Sequence, residues 1–238
     1  MSYADFQKNL KLVMCLNNAV SNLADFQGVK VHQDLLTPLQ TLSNEAADAG
    51  FDLAVASGFR SVERQCQIWN TKALGSRPVL DDTGISLDVG KLDPTALMFA
   101  ILRWSALPGA SRHHWGTDID VYDRAALSLE QPLQLTMAEC EGPFAPFHQW
   151  LDSELIKPDA QFFRPYMAPV GGVAPEPWHL SFAPRAAECQ RELDRDQLLQ
   201  LVLSLDIALK EEVVLHFDEI FERFVWVSPD LYPQSWPL

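Results

Sequence analysis

The chain has 238 residues, 47% of them hydrophobic and 21% charged, which predicts a folded globular protein rather than a disordered one. Its 18 Lys and Arg residues stand against 32 Asp and Glu residues, giving a formal net charge of −14. An acidic excess of this size repels phosphate backbones and anionic lipids. Neither nucleic acid nor a membrane surface is therefore expected as a partner, and the oligomeric state is left open.

The N-terminal stretch does not have the pattern of an export signal. Asp5 stands where a signal peptide has basic residues, and the apolar run from Leu12 to Leu16 is broken by Asn17 and Asn18. No apolar run approaches the ~20 residues that a membrane span needs. The expected location is cytoplasmic, with the periplasm or cell wall as the alternative if export is atypical.

The four cysteines are far apart in the sequence and form no CxxC pair; they are Cys15, Cys66, Cys140 and Cys189. This spacing argues against a cysteine metal site and suggests no disulfide framework. We expect free thiols, as in a reducing compartment.

The first half of the chain alternates predicted helices with one strand. Loosely helical spacing predicts one or two helices over residues 3–26, ended by a turn at Gly28. Leucines at three- and four-residue intervals predict a helix over 34–49, and residues 51–57 alternate as in a strand. Ser61 is a candidate N-cap for the helix that follows.

The next part of the chain is loop-like before it becomes regular again. Residues 71–93 read as a long loop, followed by a short apolar helix over 95–104. Alternation over 118–122 predicts a strand that places Asp118, Asp120 and Tyr122 on one face.

The rest of the chain is predicted to contain further helices and one more short strand. A helix is expected over 147–156, a proline- and glycine-rich loop over 162–174, and a strand over 178–182. From residue 185 onward the chain reads as helical, with a second apolar helix over 210–224. This order favours an α+β fold with a small antiparallel sheet.

Two histidines and an aspartate have the chemistry of a hydrolytic zinc site. Such sites use three protein ligands and leave one position open. His113 and Asp120 supply two ligands if Gly116 turns the chain back, and His179 is the third if its strand pairs beside the strand of Asp120. Glu176 then lies near enough to serve as general base.

These residues belong to three motifs that occur in order along the chain: Ser57-Gly58-Phe59-Arg60-Ser61-x-x-x-Gln65, Ser111-x-His113-x-x-Gly116-x-Asp118-x-Asp120, and Glu176-Pro177-Trp178-His179. They resemble SG(Y/F)RSxxxQ, SxHxxGxAxD and ExxH, the signatures of zinc D-alanyl-D-alanine carboxypeptidases and dipeptidases of the VanY type. These are the LAS metallopeptidases of peptidoglycan. The resemblance covers about residues 50–182.

The resemblance implies a fold and a division of the chain. The expected fold is α+β with a small central antiparallel sheet flanked by helices, as in the Hedgehog and DD-peptidase fold, with extra C-terminal helices. We expect residues 1–238 to form a single metallopeptidase domain. Its core would be about 30–182, with 183–238 as a helical extension packed on it.

The resemblance also implies the roles of individual residues. His113, Asp120 and His179 would bind one Zn²⁺ per chain, and Glu176 would be the general base for zinc-bound water. Arg60 would stabilise the oxyanion. Ser111 would bind substrate, and Gln65 would contact substrate or support the Arg60 turn.

The implied activity is removal of the terminal D-amino acid from a peptidoglycan-derived peptide. The alternatives are a D,D-dipeptidase, a muropeptide endopeptidase, and a zinc-bearing binding module without catalysis. A binding module has no need of Glu176 and Arg60, which favours an enzyme.

Two residues and one loop have no clear role in this pattern. Asp118 stands where the signature has Ala: it could orient a ligand histidine, pair with Arg112, or compete for the metal. His114 could contact substrate. The acidic loop 79–93 is a candidate determinant of specificity.

Overall fold

The computed structural model of the chain describes residues 11–128, 132–167 and 171–238. The part of the predicted first helix before residue 11 lies outside them. The helices are α1 (Lys11–Ser21), α2 (Leu36–Asp48), α3 (Val62–Ala73), α4 (Pro94–Trp104), α5 (Met137–Glu141), α6 (Ala145–Leu155), α7 (Ala183–Arg191), α8 (Arg195–Ser204), α9 (Lys210–Leu215) and α10 (Phe217–Ile220). Within these three ranges no helix has the length and apolar character needed to cross a bilayer.

The strands form a two-stranded hairpin and a four-stranded sheet, all with antiparallel pairing. They are β1 (Leu23–Phe26), β2 (Val29–His32), β3 (Leu53–Ser57), β4 (Asp118–Asp123), β5 (Phe162–Phe163) and β6 (His179–Phe182). The larger sheet has the order β3-β4-β6-β5, with β4 in the interior. The prediction of an α+β fold with a small antiparallel sheet is confirmed.

The sheet buries one face against helices and leaves the other for polar residues. Ile119 and Val121 on β4 are fully buried in a cluster with Leu39 of α2 and Phe147 of α6. Because side chains alternate along a strand, Asp118 and Asp120 point to the opposite face. The hydrophobic core therefore fixes which way these two carboxylates face.

The C-terminal helices pack against α3 and α4. Trp69 of α3 and Ile101 of α4 are fully buried in a second cluster with Leu198 of α8 and Val213 of α9. The Trp69 indole Nε1 also donates a hydrogen bond to the Ala208 carbonyl at 2.8 Å. This packing holds the helix that follows the Arg60 turn.

The prediction that helical structure extends to residue 26 is wrong. The helix ends at Ser21, and β1 and β2 form a hairpin instead. Gln27 and Gly28 between them both have positive φ, at 54° and 83°. Two residues of positive φ make the tight turn whose twist suits an antiparallel hairpin, whereas the sequence offered only Gly28 as a turn signal.

Two other predicted segments differ from the structure. The proline- and glycine-rich stretch over 162–174 begins with the edge strand β5, which is too short to show alternation in sequence. The predicted helix over 210–224 is divided at His216 into α9 and α10, followed by a π-helical turn over Phe221–Val225. The apolar spacing is continuous across this break, so the sequence did not reveal it.

The expectation that all four cysteines are free thiols is also wrong. Cys15 on α1 and Cys189 on α7 form a disulfide with their Cα atoms 5.8 Å apart, while Cys66 and Cys140 are free. The partners are 174 residues apart in sequence. Their approach depends on the packing of α1 near α7, which no local spacing reports.

We predict that Cys189→Ala lowers the free energy of unfolding by about 2–4 kcal/mol, because the cross-link restricts the unfolded chain. Denaturant unfolding measures the change, and Cys66→Ala is the matched control with little expected effect. Alkylation of the denatured but unreduced protein, followed by peptide mapping, should label Cys66 and Cys140 alone, and denaturation is needed because Cys140 is buried in the native fold. Labelling of all four thiols would contradict the disulfide.

Candidate active site

His113 reaches the sheet through a tight turn. A 3₁₀ turn over Arg112–Trp115 ends at Gly116, whose φ of 69° is favourable for glycine and lets the chain reverse into β4. His113 Nδ1 lies 2.9 Å from the Gly58 carbonyl oxygen and therefore donates to it. The other nitrogen, Nε2, is left facing Asp120, with 3.5 Å to its Oδ2.

His179 comes to the same place by strand pairing. It lies directly opposite Asp120 in the β4–β6 ladder, and opposed residues project from the same face. His179 Nδ1 lies 3.2 Å from Asp120 Oδ1. Its Nε2 faces away, 3.0 Å from Asp118 Oδ1.

The three side chains fit a zinc ion. His113, Asp120 and His179 are all buried, and each offers a donor atom within 4.8 Å of the others. Tetrahedral zinc with bonds of about 2.1 Å keeps its donors about 3.4 Å apart. His113 Nε2 lies 3.5 Å from Asp120 Oδ2, and His179 Nδ1 lies 3.2 Å from Asp120 Oδ1, so the carboxylate faces both histidines at this spacing through its two oxygens. The structure thus brings together the three residues that sequence reasoning selected as ligands.

Glu176 stands beside this cluster on the loop before β6. Its Oε2 lies 3.6 Å from His179 Nδ1. The loop is fixed by hydrogen bonds from the Glu176 amide to the Tyr166 carbonyl and from the His179 amide to the Glu176 carbonyl. Burial, with the nearby Asp120 carboxylate, raises the pKa of Glu176 to about 7. A carboxyl with that pKa exchanges a proton readily near neutral pH.

The two candidate ligand histidines have opposite pKa shifts. Burial lowers the pKa of His113 to about 4, so its imidazole is neutral and free to bind a metal. Burial also acts against charge on His179. Hydrogen bonds to Asp118 and Asp120 outweigh it, however, and raise the pKa of His179 to about 10.

Arg60 borders the same cleft and is held from behind. Its NH1 donates to Gln65 Oε1 at 3.0 Å and its NH2 to Ser57 Oγ at 3.3 Å. Gln65 is fully buried, and its amide nitrogen donates to the Ala106 carbonyl at 2.7 Å. Both ends of the Gln65 amide are therefore engaged inside the protein. This favours support of Arg60 over direct contact of Gln65 with a substrate.

His114 has a structural position. It is buried, with Nδ1 2.6 Å from the Arg60 carbonyl oxygen and Nε2 accepting from the Gly109 amide at 3.2 Å. The contact with substrate suggested for His114 is not supported, because one ring nitrogen holds the turn that carries Arg60 and the other holds the turn at Gly109.

Asp118 combines two of the three roles that the sequence left open. Its Oδ1 accepts hydrogen bonds from His179 Nε2 and from Arg112 Nε, at 3.0 and 2.9 Å. Its carboxylate therefore lies behind His179, on the side away from Asp120, and does not belong to the ligand cluster.

These groups lie along a cleft of about 720 Å³. One wall includes residues 80 and 82–84 of the predicted specificity loop, and another includes residues 134–138. Ser111 also lines the cleft. The loop is anchored by the Trp104 indole, which donates to the Asp81 carbonyl, and by an ion pair between Arg103 and Asp82. Loop 79–93 is thus part of the cleft wall.

Lys72 is a cleft residue that sequence reasoning missed. It lies on α3 seven residues after Gln65 and three after Trp69, hence on the same helical face. It is half-buried in the cleft lining. Burial lowers its pKa to about 8. Within the described residues its ammonium forms no ion pair. The helical spacing from Gln65 was the available signal.

A comparison with protein families decides the affiliation. The model of the VanY family, described as D-alanyl-D-alanine carboxypeptidase, matches residues 28–185, more than half of the chain. The chain belongs to the VanY family. The predicted family is confirmed. The match includes every site residue described above and stops within α7.

Two curated relatives are uncharacterized proteins of Haemophilus influenzae. The first is 53% identical over 68 residues, which cover 29% of this chain and 47% of the relative. The chain thus spans about half the length of that relative. The second is 32% identical over 123 residues, covering 50% of this chain and 92% of the relative.

Two solved structures are similar to this chain in backbone fold. A mutant of the vancomycin-resistance D,D-pentapeptidase VanY, in complex with Zn(II), is 22% identical with a TM-score of 0.49; the alignment covers 80% of this chain and 88% of that one. The LdcB LD-carboxypeptidase is 18% identical with a TM-score of 0.49, covering 86% and 81%. At this level of similarity neither structure identifies what this chain binds or cleaves.

Proposed function

We propose that this protein is a zinc-dependent carboxypeptidase that hydrolyses the terminal D-amino acid peptide bond of peptidoglycan-derived peptides. The observation that carries the proposal is the buried set of His113, Asp120 and His179 with Glu176 beside it, in a cleft bordered by Arg60. Membership of the VanY family supports the substrate class.

Zinc bound by two histidines and one carboxylate acts as a Lewis acid on a carbonyl group and lowers the pKa of water toward neutrality. Glu176 accepts the proton of the attacking water and delivers it to the leaving amine. Its raised pKa, about 7, suits both transfers, because at neutral pH the carboxyl is populated in both its ionised and its protonated form.

Arg60 supplies a positive charge in the cleft for the reacting carbonyl. Gln65 and Ser57 hold its guanidinium at the cleft edge before substrate arrives. A preorganised donor of this kind stabilises the negative charge that develops on the carbonyl oxygen. Ser111 lines the cleft, and in this proposal its hydroxyl hydrogen-bonds the bound peptide.

Lys72 supports an exopeptidase over an endopeptidase. An exopeptidase recognises the free carboxylate next to the bond it cleaves, and the half-buried Lys72 ammonium lies in the cleft without an ion-pair partner among the described residues. A carboxylate in the cleft would supply that partner, and a charge-assisted hydrogen bond of this kind is stronger than a neutral one.

The Cys15–Cys189 disulfide supports action in an oxidising compartment, outside the cytoplasm. We therefore propose that the protein acts in the periplasm or cell wall, which was the alternative to the cytoplasm expected from the sequence. Recovery of this pair in oxidised form from intact cells, with thiols trapped before lysis, is the check. Reduced thiols at both positions would favour the cytoplasm.

We expect Glu176→Gln to lower kcat on a peptide ending in D-Ala-D-Ala by about 10²–10⁴-fold, because the amide cannot accept the proton of water. Zinc content, measured by metal analysis, should stay at one per chain, since Glu176 is not one of the three ligands. Full activity of the zinc-loaded variant would contradict the mechanism. The binding-module alternative is favoured if the wild-type zinc protein hydrolyses no peptide.

We expect Lys72→Met to raise KM for a peptide with a free terminal carboxylate by about tenfold or more, since a hydrogen bond to a charged group contributes about 1.5–3 kcal/mol. The C-terminally amidated peptide should be a poor substrate and should not discriminate between variant and wild type. Lys157→Met, at an exposed lysine that does not line the cleft, is the control. Equal cleavage of acid and amide by wild type would favour the endopeptidase alternative.

A further inference from the structure

Arg112 joins the candidate metal site to the C-terminal part of the chain. Its side chain is 1% exposed, and every nitrogen of its guanidinium has a hydrogen-bond partner inside the protein. Nε donates to Asp118 Oδ1 at 2.9 Å, NH1 to Gln190 Oε1 at 2.9 Å, and NH2 to Ser181 Oγ at 2.7 Å and to the Tyr232 hydroxyl at 3.3 Å. A planar fork of fixed donors imposes one orientation on its acceptors.

Asp118 is the partner that connects this guanidinium to a metal ligand. It is fully buried; its Oδ1 receives both Arg112 Nε and His179 Nε2, and its Oδ2 receives the Thr117 hydroxyl at 2.6 Å. The carboxylate is thus held on both oxygens. Because Asp118 Oδ1 accepts a hydrogen bond from His179 Nε2, the other nitrogen, Nδ1, faces Asp120.

The outer end of the network lies beyond the residues that match the family. Gln190 is on α7, one residue after the disulfide partner Cys189, and Tyr232 follows the last 3₁₀ turn. The Tyr232 hydroxyl donates to Gln190 Oε1 at 2.9 Å, and Gln190 Nε2 donates to the Val227 carbonyl at 2.5 Å. The family match ends at residue 185.

We infer that Asp118, Arg112 and Gln190 are positioning residues that hold the His179 imidazole with Nδ1 toward the metal. The C-terminal extension would then tune the metal site rather than only cover the core. Outer partners of ligand histidines raise metal affinity by fixing tautomer and ring orientation, and their loss typically costs 10–100-fold. The inference rests on the proposed function only through the metal site itself.

A different role for the same contacts is stability alone. A buried Arg–Asp pair that loses one member leaves an uncompensated charge and destabilises the fold. The two roles differ in what they change. A stabilising pair alters the unfolding transition and leaves the metal affinity of folded protein as it was, whereas a positioning network alters that affinity.

The test measures the Zn²⁺ dissociation constant of folded protein by chelator competition, together with the visible spectrum of the Co²⁺-substituted protein. Asp118→Asn should raise the zinc dissociation constant by about 10–100-fold. Gln190→Met, which removes the distant acceptor of Arg112, should raise it about three- to tenfold. Both should shift the Co²⁺ bands, which report ligand geometry. Gln67→Met, the same change on an exposed glutamine of α3, should alter neither readout.

Dissociation constants within twofold of wild type for the folded variants, with unchanged Co²⁺ spectra, would overturn the inference. If Asp118→Asn does not fold, Gln190→Met decides alone. A wild-type protein that binds zinc but hydrolyses no peptide would contradict the proposed function and would leave this inference unaffected. A wild-type protein that binds no zinc would overturn both proposals.

Discussion

The pairing of β4 with β6 is the constraint on which the candidate site depends. It sets Asp120 opposite His179, and the antiparallel register puts both side chains on one face of the sheet. Ile119 and Val121 enforce that face from the other side, since a slip by one residue would expose both to water. The hydrophobic core therefore determines the geometry of a polar cluster on the opposite face of the sheet.

A second set of interactions gives the site its charges. Two cationic side chains, Arg60 and Lys72, face the cleft from the turn before α3 and from α3 itself. Arg112 lies behind the candidate metal ligands and compensates the charge of Asp118. Packing of Trp69 against the C-terminal helices fixes α3, so residues far along the chain help to hold the cationic side of the cleft.

Much of this site could be predicted from sequence, because strand alternation and motif order report local geometry. Those signals selected His113, Asp120, His179 and Glu176 and paired the strands that carry them. The hairpin at Gln27, the Cys15–Cys189 disulfide and the Gln190–Arg112 contact could not be predicted. Each depends on a backbone conformation or on an approach between distant segments, which composition and spacing do not encode.

We propose that His179 presents Nδ1 to the metal because Asp118 holds Nε2. A crystal structure of zinc-loaded protein, with anomalous data collected at the zinc edge, tests it most directly. We predict one ion per chain, bound by His113 Nε2, an Asp120 carboxylate oxygen and His179 Nδ1, with the His179–Asp118 hydrogen bond retained. An ion bound through His179 Nε2, or one located away from these three residues, would contradict the account.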